Sequence, residues 1–561
     1  MQQLGGLTRP WRLAFRRAVA VPWAGVPLLL CRRVAISRGA LLQAALLASI
    51  CLLPIALLAP FFNAPLMNDE GIFATIARDV LKGGLPYRDL FDIAPPLIYG
   101  WYAFGFLLFG QETWVPHLLL ALVLSLTTLL VFIEGRLLFS PRAGYVAAFA
   151  FALSTGIVQM GSWAQPGYFV LLPLVAALVA FTLGAQRQRT GWYLAAGVFS
   201  GLAIITMQLV ALHYLVLLAF SVGQARQKDR SWPGRYAPTA ALLVGALVVL
   251  LALAMPYLAS GALGDLYYGA IKYPLLYAGN LSWGTKAQIG AGQLARFLMV
   301  AGPWVVLSLV GAGTLIGRRD GQRALVLAWA AASLLAIAIT GRFNTHYFAL
   351  LRPAMALLAG YAAQAFWPRQ QALRVRFSFR AAFYSMFGVA VLFSAVLNGQ
   401  VYSQPSATER HIVKVLWPTR VREAQSPSVA AYISGRTEPT DSIYNLGREG
   451  ELYFHANRRP ASRYFHEFPL RNGPGAVPKL LADLERNKPV YIVDTQWPQY
   501  LEDVTDWYPW EVLQFLKENY EYEAKIEFDP ALVEIYKDAL GDGFEEGKLT
   551  YYGDLWRLKK R

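Results

Sequence analysis

The chain has 561 residues, 56% of them hydrophobic and only 15% charged, with a formal net charge of +16. Runs of about 20 apolar residues recur through the first 400 positions, each long enough to cross a bilayer core of ~30 Å, so the composition excludes an ordinary soluble enzyme. The two cysteines, Cys31 and Cys51, lie before and within the first apolar run and cannot staple a domain outside the membrane.

The Arg-rich N-terminus leads into a full-length apolar run without a small-residue cleavage site, and so reads as a membrane anchor rather than a cleavable signal. Eleven spans follow from hydropathy, at 41-62, 114-135, 143-160, 167-184, 192-205, 207-223, 239-258, 295-316, 324-341, 344-366 and 381-400. Loops on the N-terminal side hold 22 Lys/Arg, seven of them before residue 41, against six in the opposite loops: Arg78, Lys82, Arg88, Lys272, Lys286 and Arg342. By the positive-inside rule the basic segment 1-40 is cytoplasmic. Residues 401-561 carry 21 basic and 25 acidic side chains. The positive charge is therefore topological, and a nucleic-acid partner is not expected.

After the first span, Asn68-Asp69-Glu70-Gly71 opens a helix whose apolar residues, Ile72, Phe73, Ile76, Ala77, Val80 and Leu81, follow an amphipathic period. Asp69 falls on that apolar stripe. A carboxylate held where water is scarce, beside a membrane, marks a functional site. Asn68-Asp69-Glu70 equally suits a helix N-terminus, where acids stabilise the dipole. Arg78 and Lys82 read as a solvated face of this helix. The loop 63-113 continues through Gly83-Gly84-Leu85-Pro86-Tyr87 and Asp92-Ile93-Ala94-Pro95-Pro96-Leu97. It ends in an aromatic stretch from Tyr99 to Phe109, too short to span and suited to the membrane interface.

Residues 191-223 divide into two short helices at Thr206-Met207-Gln208. One helix of that length would be about 50 Å long, and both flanking loops are basic. A second long outer loop, Ala259 to Ala291, is rich in aromatics and contains Lys272 beside Tyr273. Gly341-Arg342-Phe343-Asn344-Thr345-His346-Tyr347 leads into the tenth span, which carries Arg352. Arg342 and His346 are spaced i, i+4 and share a face if helical. His117 and His213 sit in apolar spans as packing residues. His411, His455 and His466 show no ligand spacing.

Residues 401-561 read as a separate α/β domain. Ser442 to Leu446, Pro489 to Asp494 and Tyr551 to Leu558 have strand character; Pro478 to Arg486 and Trp510 to Tyr520 have helical character.

The carboxylate pair after the first span, the Gly-Gly-Leu-Pro-Tyr turn, Asp92 ahead of Pro95-Pro96-Leu97, the Gly341 to Tyr347 entrance and the C-terminal α/β domain together resemble the C-type (GT-C) glycosyltransferases. Within that group the chain resembles the bacterial protein-mannosyltransferase-like and aminoarabinose-transferase-like enzymes. The chain departs from some relatives at Phe73, Ala94 and Met207, where they carry Tyr, Lys and Lys.

The resemblance implies a polytopic α-helical membrane protein of about eleven spans, with the transmembrane domain at 41-400 and an extracytoplasmic α/β domain at 401-561. It also implies inverting transfer of a sugar from a polyprenyl-phosphate donor to a hydroxyl acceptor at the outer face of a bacterial inner membrane. Asp69 matches the catalytic base, and Glu70 and Asp92 are further candidate carboxylates. Arg342, His346, Tyr347, Arg352 and Lys272 are candidates for the donor phosphate. For Arg352, structural pairing is an equal reading. No cofactor is certain. A divalent cation shared by Asp69 and Asp92 is possible, though two carboxylates are few for a hard cation. A transporter or lipid flippase, and a non-catalytic scaffold, remain as the competing classes.

Overall fold

The computed structural model describes residues 37-156, 164-226, 232-279, 281-316, 321-366, 377-404, 406, 421-472, 475-495, 510-540 and 552-559. The first 36 residues, including most of the basic N-terminal segment, lie outside this set, as do residues 157-160 of the third expected span. The chain divides into an N-terminal unit ending at Ala48 and a second unit, Ser49–Arg561. Helix α1 (Arg38–Leu58) begins in the first and ends in the second.

Within the second unit, α2 (Asn68–Val80) and α3 (Pro96–Phe109) form the first long loop. Then follow α4 (Val115–Leu138), α5 (Pro141–Leu153), α6 (Leu171–Arg187), α7 (Thr190–Thr206), α8 (Ala211–Arg226) and α9 (Trp232–Ala259). The apolar series closes with α10 (Trp283–Leu315), α11 (Gly321–Ile339), α12 (Leu351–Ala365) and α13 (Phe377–Tyr402). Each expected span has its helix among the described residues. Seven are long and apolar enough to cross a membrane. α5, α7, α11 and α12 fall outside that group: α7 and the apolar part of α11 are shorter than the 18 residues it requires, as are α5 and α12.

Local chemistry explains the boundaries. Ser140 caps α5, its Oγ accepting the Ala143 N–H at 3.3 Å, with Pro141 in the first turn. Ser282 does the same for α10 at 3.1 Å from the Thr285 nitrogen. The expected break after α7 occurs at Met207, whose backbone is extended before a single 3-10 turn, Gln208–Val210. α7 packs on α6 and α9, and α12 on α5 and α10. At the α7–α9 crossing a Cβ on Gly197 would strike the Leu242 carbonyl, so glycine lets the two backbones touch.

The C-terminal region builds a five-stranded sheet ordered β2-β1-β3-β5-β4. β1 (Ser442–Leu446) runs parallel to β2 (Arg459–Pro460) and β3 (Tyr491–Asp494); β5 (Gly553–Leu558) is antiparallel to β3 and β4 (Tyr520–Ile526). β1 and β3 are buried almost throughout, as a parallel strand pair requires. Helices α14 (Val421–Ser434), α15 (Glu451–Ala456), α16 (Ala476–Asn487), α17 (Trp510–Asn519) and α18 (Pro530–Leu540) accompany the strands. α15 lies against α2. There a Cβ on Gly71 would fall on the Glu451 backbone, and one on Gly450 would meet Ile72.

Candidate active site

A cavity of about 460 Å³ opens between the two long loops, the entrance to α12 and the α/β domain. Its walls carry Asp69 and Phe73 of α2, Asp92 to Pro95, Gln165, Met207 to Leu209, part of the segment 270-278, part of the segment 339-347 and Phe468. Five of the expected site residues meet here: Asp69, Asp92, Arg342, His346 and Tyr347. The three departures from the family pattern, Phe73, Ala94 and Met207, line the same space.

Asp69 sits in the first turn of α2, its Oδ2 accepting from Gln165 Nε2 at 3.3 Å. Glu70 is one residue on, about 100° around the helix, and does not line the cavity. It is fully buried. Its Oε1 accepts from the Ala164 N–H at 2.7 Å, and its Oε2 from the Met67 N–H at 3.0 Å and His117 Nε2 at 3.2 Å. The other His117 nitrogen faces the Phe62 carbonyl at 3.0 Å. Burial pushes the Glu70 carboxyl up, but the His117 charge and these donors outweigh it and hold the group below its ordinary value. These bonds tie the start of α2 to α4 and to Ala164.

Asp92 precedes Pro95-Pro96 at the head of α3. Its Oδ2 accepts from the Tyr99 hydroxyl at 2.9 Å and the Ala94 N–H at 3.3 Å, and its Oδ1 lies 3.4 Å from His466 Nε2. Burial raises this carboxyl, against the lowering effect of the Ile93 N–H, the Tyr99 hydroxyl and the Ala94 N–H.

Arg342 reaches the cavity from a bend rather than a helix. Gly341 (φ 65°) and Phe343 (φ 49°) are both left-handed, and a 3-10 helix begins only at Thr345. The helical face expected for Arg342 and His346 therefore does not form; the bend itself brings them together. The Arg342 guanidinium stacks 3.8 Å above the Tyr277 ring and donates to the Tyr277 carbonyl at 2.5 Å. The His346 and Tyr347 rings meet edge to face, 4.7 Å apart.

Two other expected phosphate ligands point elsewhere. Arg352 is buried in the first turn of α12 and donates to the Ser154 carbonyl, beside a water-sized void near Trp304 and Ser308. Lys272 is exposed, its ammonium 5.9 Å from the Tyr268 ring centre, while its neighbours Ala270, Ile271 and Pro274 line the cavity. Arg78 does not face solvent. It is buried against α15 and donates to the carbonyls of Tyr453, Phe454 and Arg458 and to Asn457 Oδ1 at 2.8 Å. Burial draws its pKa down to about 10, with Asp79 opposing.

The α/β domain reaches the cavity through Phe468, whose ring stands edge-on to Tyr277 at 6.4 Å. Composition and spacing carried no signal for Phe468, His466 or Gln165, because each acquires its role from a contact distant in sequence. Among the described residues, no three His, Cys, Asp or Glu side chains converge as a metal site. Asp69 and Asp92 supply too few hard oxygen ligands to hold a dication by themselves.

Among solved structures, ArnT from Cupriavidus metallidurans bound to undecaprenyl phosphate superposes with a TM-score of 0.56 at 17% identity, covering 83% of this chain and 94% of that one. The fold is that of the GT-C glycosyltransferases. An oligosaccharyltransferase from Archaeoglobus fulgidus in the apo form shares the GT-C fold with a TM-score of 0.51 at 15% identity, covering 80% and 69%. The same organism's AglB, solved with an inhibitory peptide and a dolichol-phosphate, gives 0.51 at 14% identity, covering 87% and 73%. A related Archaeoglobus fulgidus structure carries zinc and sulfate. A family model described as dolichyl-phosphate-mannose-protein mannosyltransferase matches residues 94–258, under a third of the GT-C-like chain. Asp69 and Asp92 precede that matched segment. No curated protein sequence matches the chain.

Proposed function

We propose that the chain is a membrane glycosyltransferase that moves a sugar from a polyprenyl-phosphate donor to the hydroxyl of a lipid, glycan or protein acceptor. The observation that carries this reading is the shared cavity, which Asp69, Asp92, Arg342, His346 and Tyr347 all line. The lipid phosphates bound by ArnT and AglB supply the donor class.

Asp69 takes the proton of the acceptor hydroxyl as its oxygen attacks the anomeric carbon. The bond from that carbon to the phosphate oxygen breaks, and the phosphate departs with the electron pair, inverting the centre. Arg342, with His346 and Tyr347, faces the leaving phosphate. Stabilisation of that charge is commonly the larger contribution, while a positioned general base contributes roughly 10²–10⁴-fold. Phosphate is already a good leaving group, so the reaction needs no general acid. The uneven distribution of Lys and Arg supports a cytoplasmic segment 1-40, a transmembrane domain at 41-400 with its site on the outer side, and an extracytoplasmic domain at 401-561 in a bacterial inner membrane.

The test is turnover of synthetic polyprenyl-phosphate sugars by the purified protein and by Asp69→Asn. Transfer or release of sugar by the wild type, with a loss of about 10²–10⁴-fold in the variant, supports the reading. Equal turnover removes Asp69 from the mechanism. An absence of turnover in both returns the transporter or flippase class.

A further inference from the structure

We infer that His466, a residue of the C-terminal α/β domain, is a positioning residue that seats Asp92 in the cavity wall. The inference rests on the proposed reading of this cavity as the transfer site.

His466 is completely buried. Its Nε2 hydrogen-bonds the Phe91 carbonyl at 3.1 Å and lies 3.4 Å from Asp92 Oδ1. Both partners are acceptors, so the proton belongs on Nε2. Nδ1 meets no hydrogen-bond partner, as fits a neutral ring, and burial lowers the imidazole pKa to about 4. On the other side of the carboxylate, the Tyr99 hydroxyl holds Oδ2 at 2.9 Å. Asp92 thus has the Tyr99 hydroxyl of α3 bonded on one side and the His466 ring of the α/β domain close by on the other.

The segment that carries His466 is tied in place by hydrogen bonds on both sides. The Phe91 N–H donates to the Arg463 carbonyl at 2.9 Å, and Arg463 donates in turn to the Tyr87 carbonyl. The Phe465 carbonyl accepts from the Tyr453 hydroxyl at 2.9 Å, and the Glu467 N–H donates to the Gly447 carbonyl at 2.9 Å. Residues 463-468 are therefore bonded on one side to the loop that carries Asp92 and on the other to α15 and the turn after β1. Two positions beyond His466, Phe468 forms part of the cavity surface. A histidine serving only as packing would be satisfied by the Phe91 carbonyl. The approach to Asp92 Oδ1 couples the ring to a group that faces substrate.

The test is a double-mutant cycle on the full-length protein: wild type, His466→Leu, Asp92→Asn and the pair, with His466→Gln as the variant that retains an amide donor. Transfer from a synthetic polyprenyl-phosphate sugar and thermal unfolding are measured on all five. We expect His466→Leu to lower kcat/KM by about 10–100-fold, the scale of a small misplacement in a site. His466→Gln should recover most of the loss, and the effect should vanish in the Asp92→Asn background. Equal losses in both backgrounds, or a Gln variant as impaired as Leu, overturn the inference. A wild type that turns over no such donor refutes the reading of the cavity instead. The melting cycle then decides the pair: non-additive shifts uphold the His466–Asp92 coupling, and additive shifts overturn it.

Discussion

The Glu70 carboxylate and the His117 imidazole lie 3.2 Å apart with almost no exposure to solvent. Across 47 residues of sequence they join the first turn of α2 to the first turn of α4. Together with the Ala164 N–H on Glu70 and Gln165 on Asp69, the pair determines where the neighbouring Asp69 projects.

Replacing Glu70 with Gln should cost about 3 kcal/mol, because one partner of a buried pair is lost. The effect depends on pH. The folded Glu70 carboxyl is depressed below its ordinary 4.5, so its stabilisation is complete above that pH and is lost as pH falls through the folded value. Melting of wild type and Glu70→Gln from pH 7 downward should show a gap that narrows in acid. A gap independent of pH would contradict the assignment.

Arg78 donates to the Tyr453 and Phe454 carbonyls in the last turn of α15, adding a charged donor to the backbone N–H bonds they accept from Arg458 and Asn457. Arg78→Ala should destabilise the protein by roughly 3 kcal/mol, from several charge-assisted hydrogen bonds lost at once. Lys, with no planar fork, should restore only part. Limited proteolysis should show the α/β domain cut faster in Arg78→Ala than in wild type.

Gly71 permits α2 to lie against the start of α15. Alanine there would place its Cβ on the Glu451 backbone, which cannot move aside as a side chain could. Overpacking of this kind costs about 1–3 kcal/mol. Gly71→Ala should lower the melting temperature and also reduce transfer, since Asp69 lies on the displaced turn.

Arg342 presents a planar cation stacked on Tyr277. Arg342→Ala should raise the KM for the lipid donor about tenfold or more, the scale of a lost charged hydrogen bond. Arg342→Lys should recover little, because an ammonium neither stacks nor forks in the same way. Steady-state kinetics over a range of donor concentrations reads both effects. An unchanged KM in Arg342→Ala would remove it from donor binding.

Local pattern was enough for much of the architecture. The apolar runs, the break after Thr206, the amphipathic helix carrying Asp69 and the strands at Ser442–Leu446 and Tyr491–Asp494 are all visible as periodicity and turn chemistry within a few residues. The strand Tyr520–Ile526 was hidden, because it directly continues α17 and carries exposed charges at an edge of the sheet.

The sequence by itself determined a bundle of apolar helices and the presence of carboxylates and cations at its polar mouth, since hydropathy and helical period are local properties. Only the tertiary structure decided which of those groups share one cavity. It sent Glu70 to His117, Arg78 to the end of α15 and Arg352 to Ser154, and it brought His466 and Phe468 to the site from about 375 residues away. Burial makes each such polar group find a partner, and which partner lies within reach is a matter of packing between segments far apart in the chain.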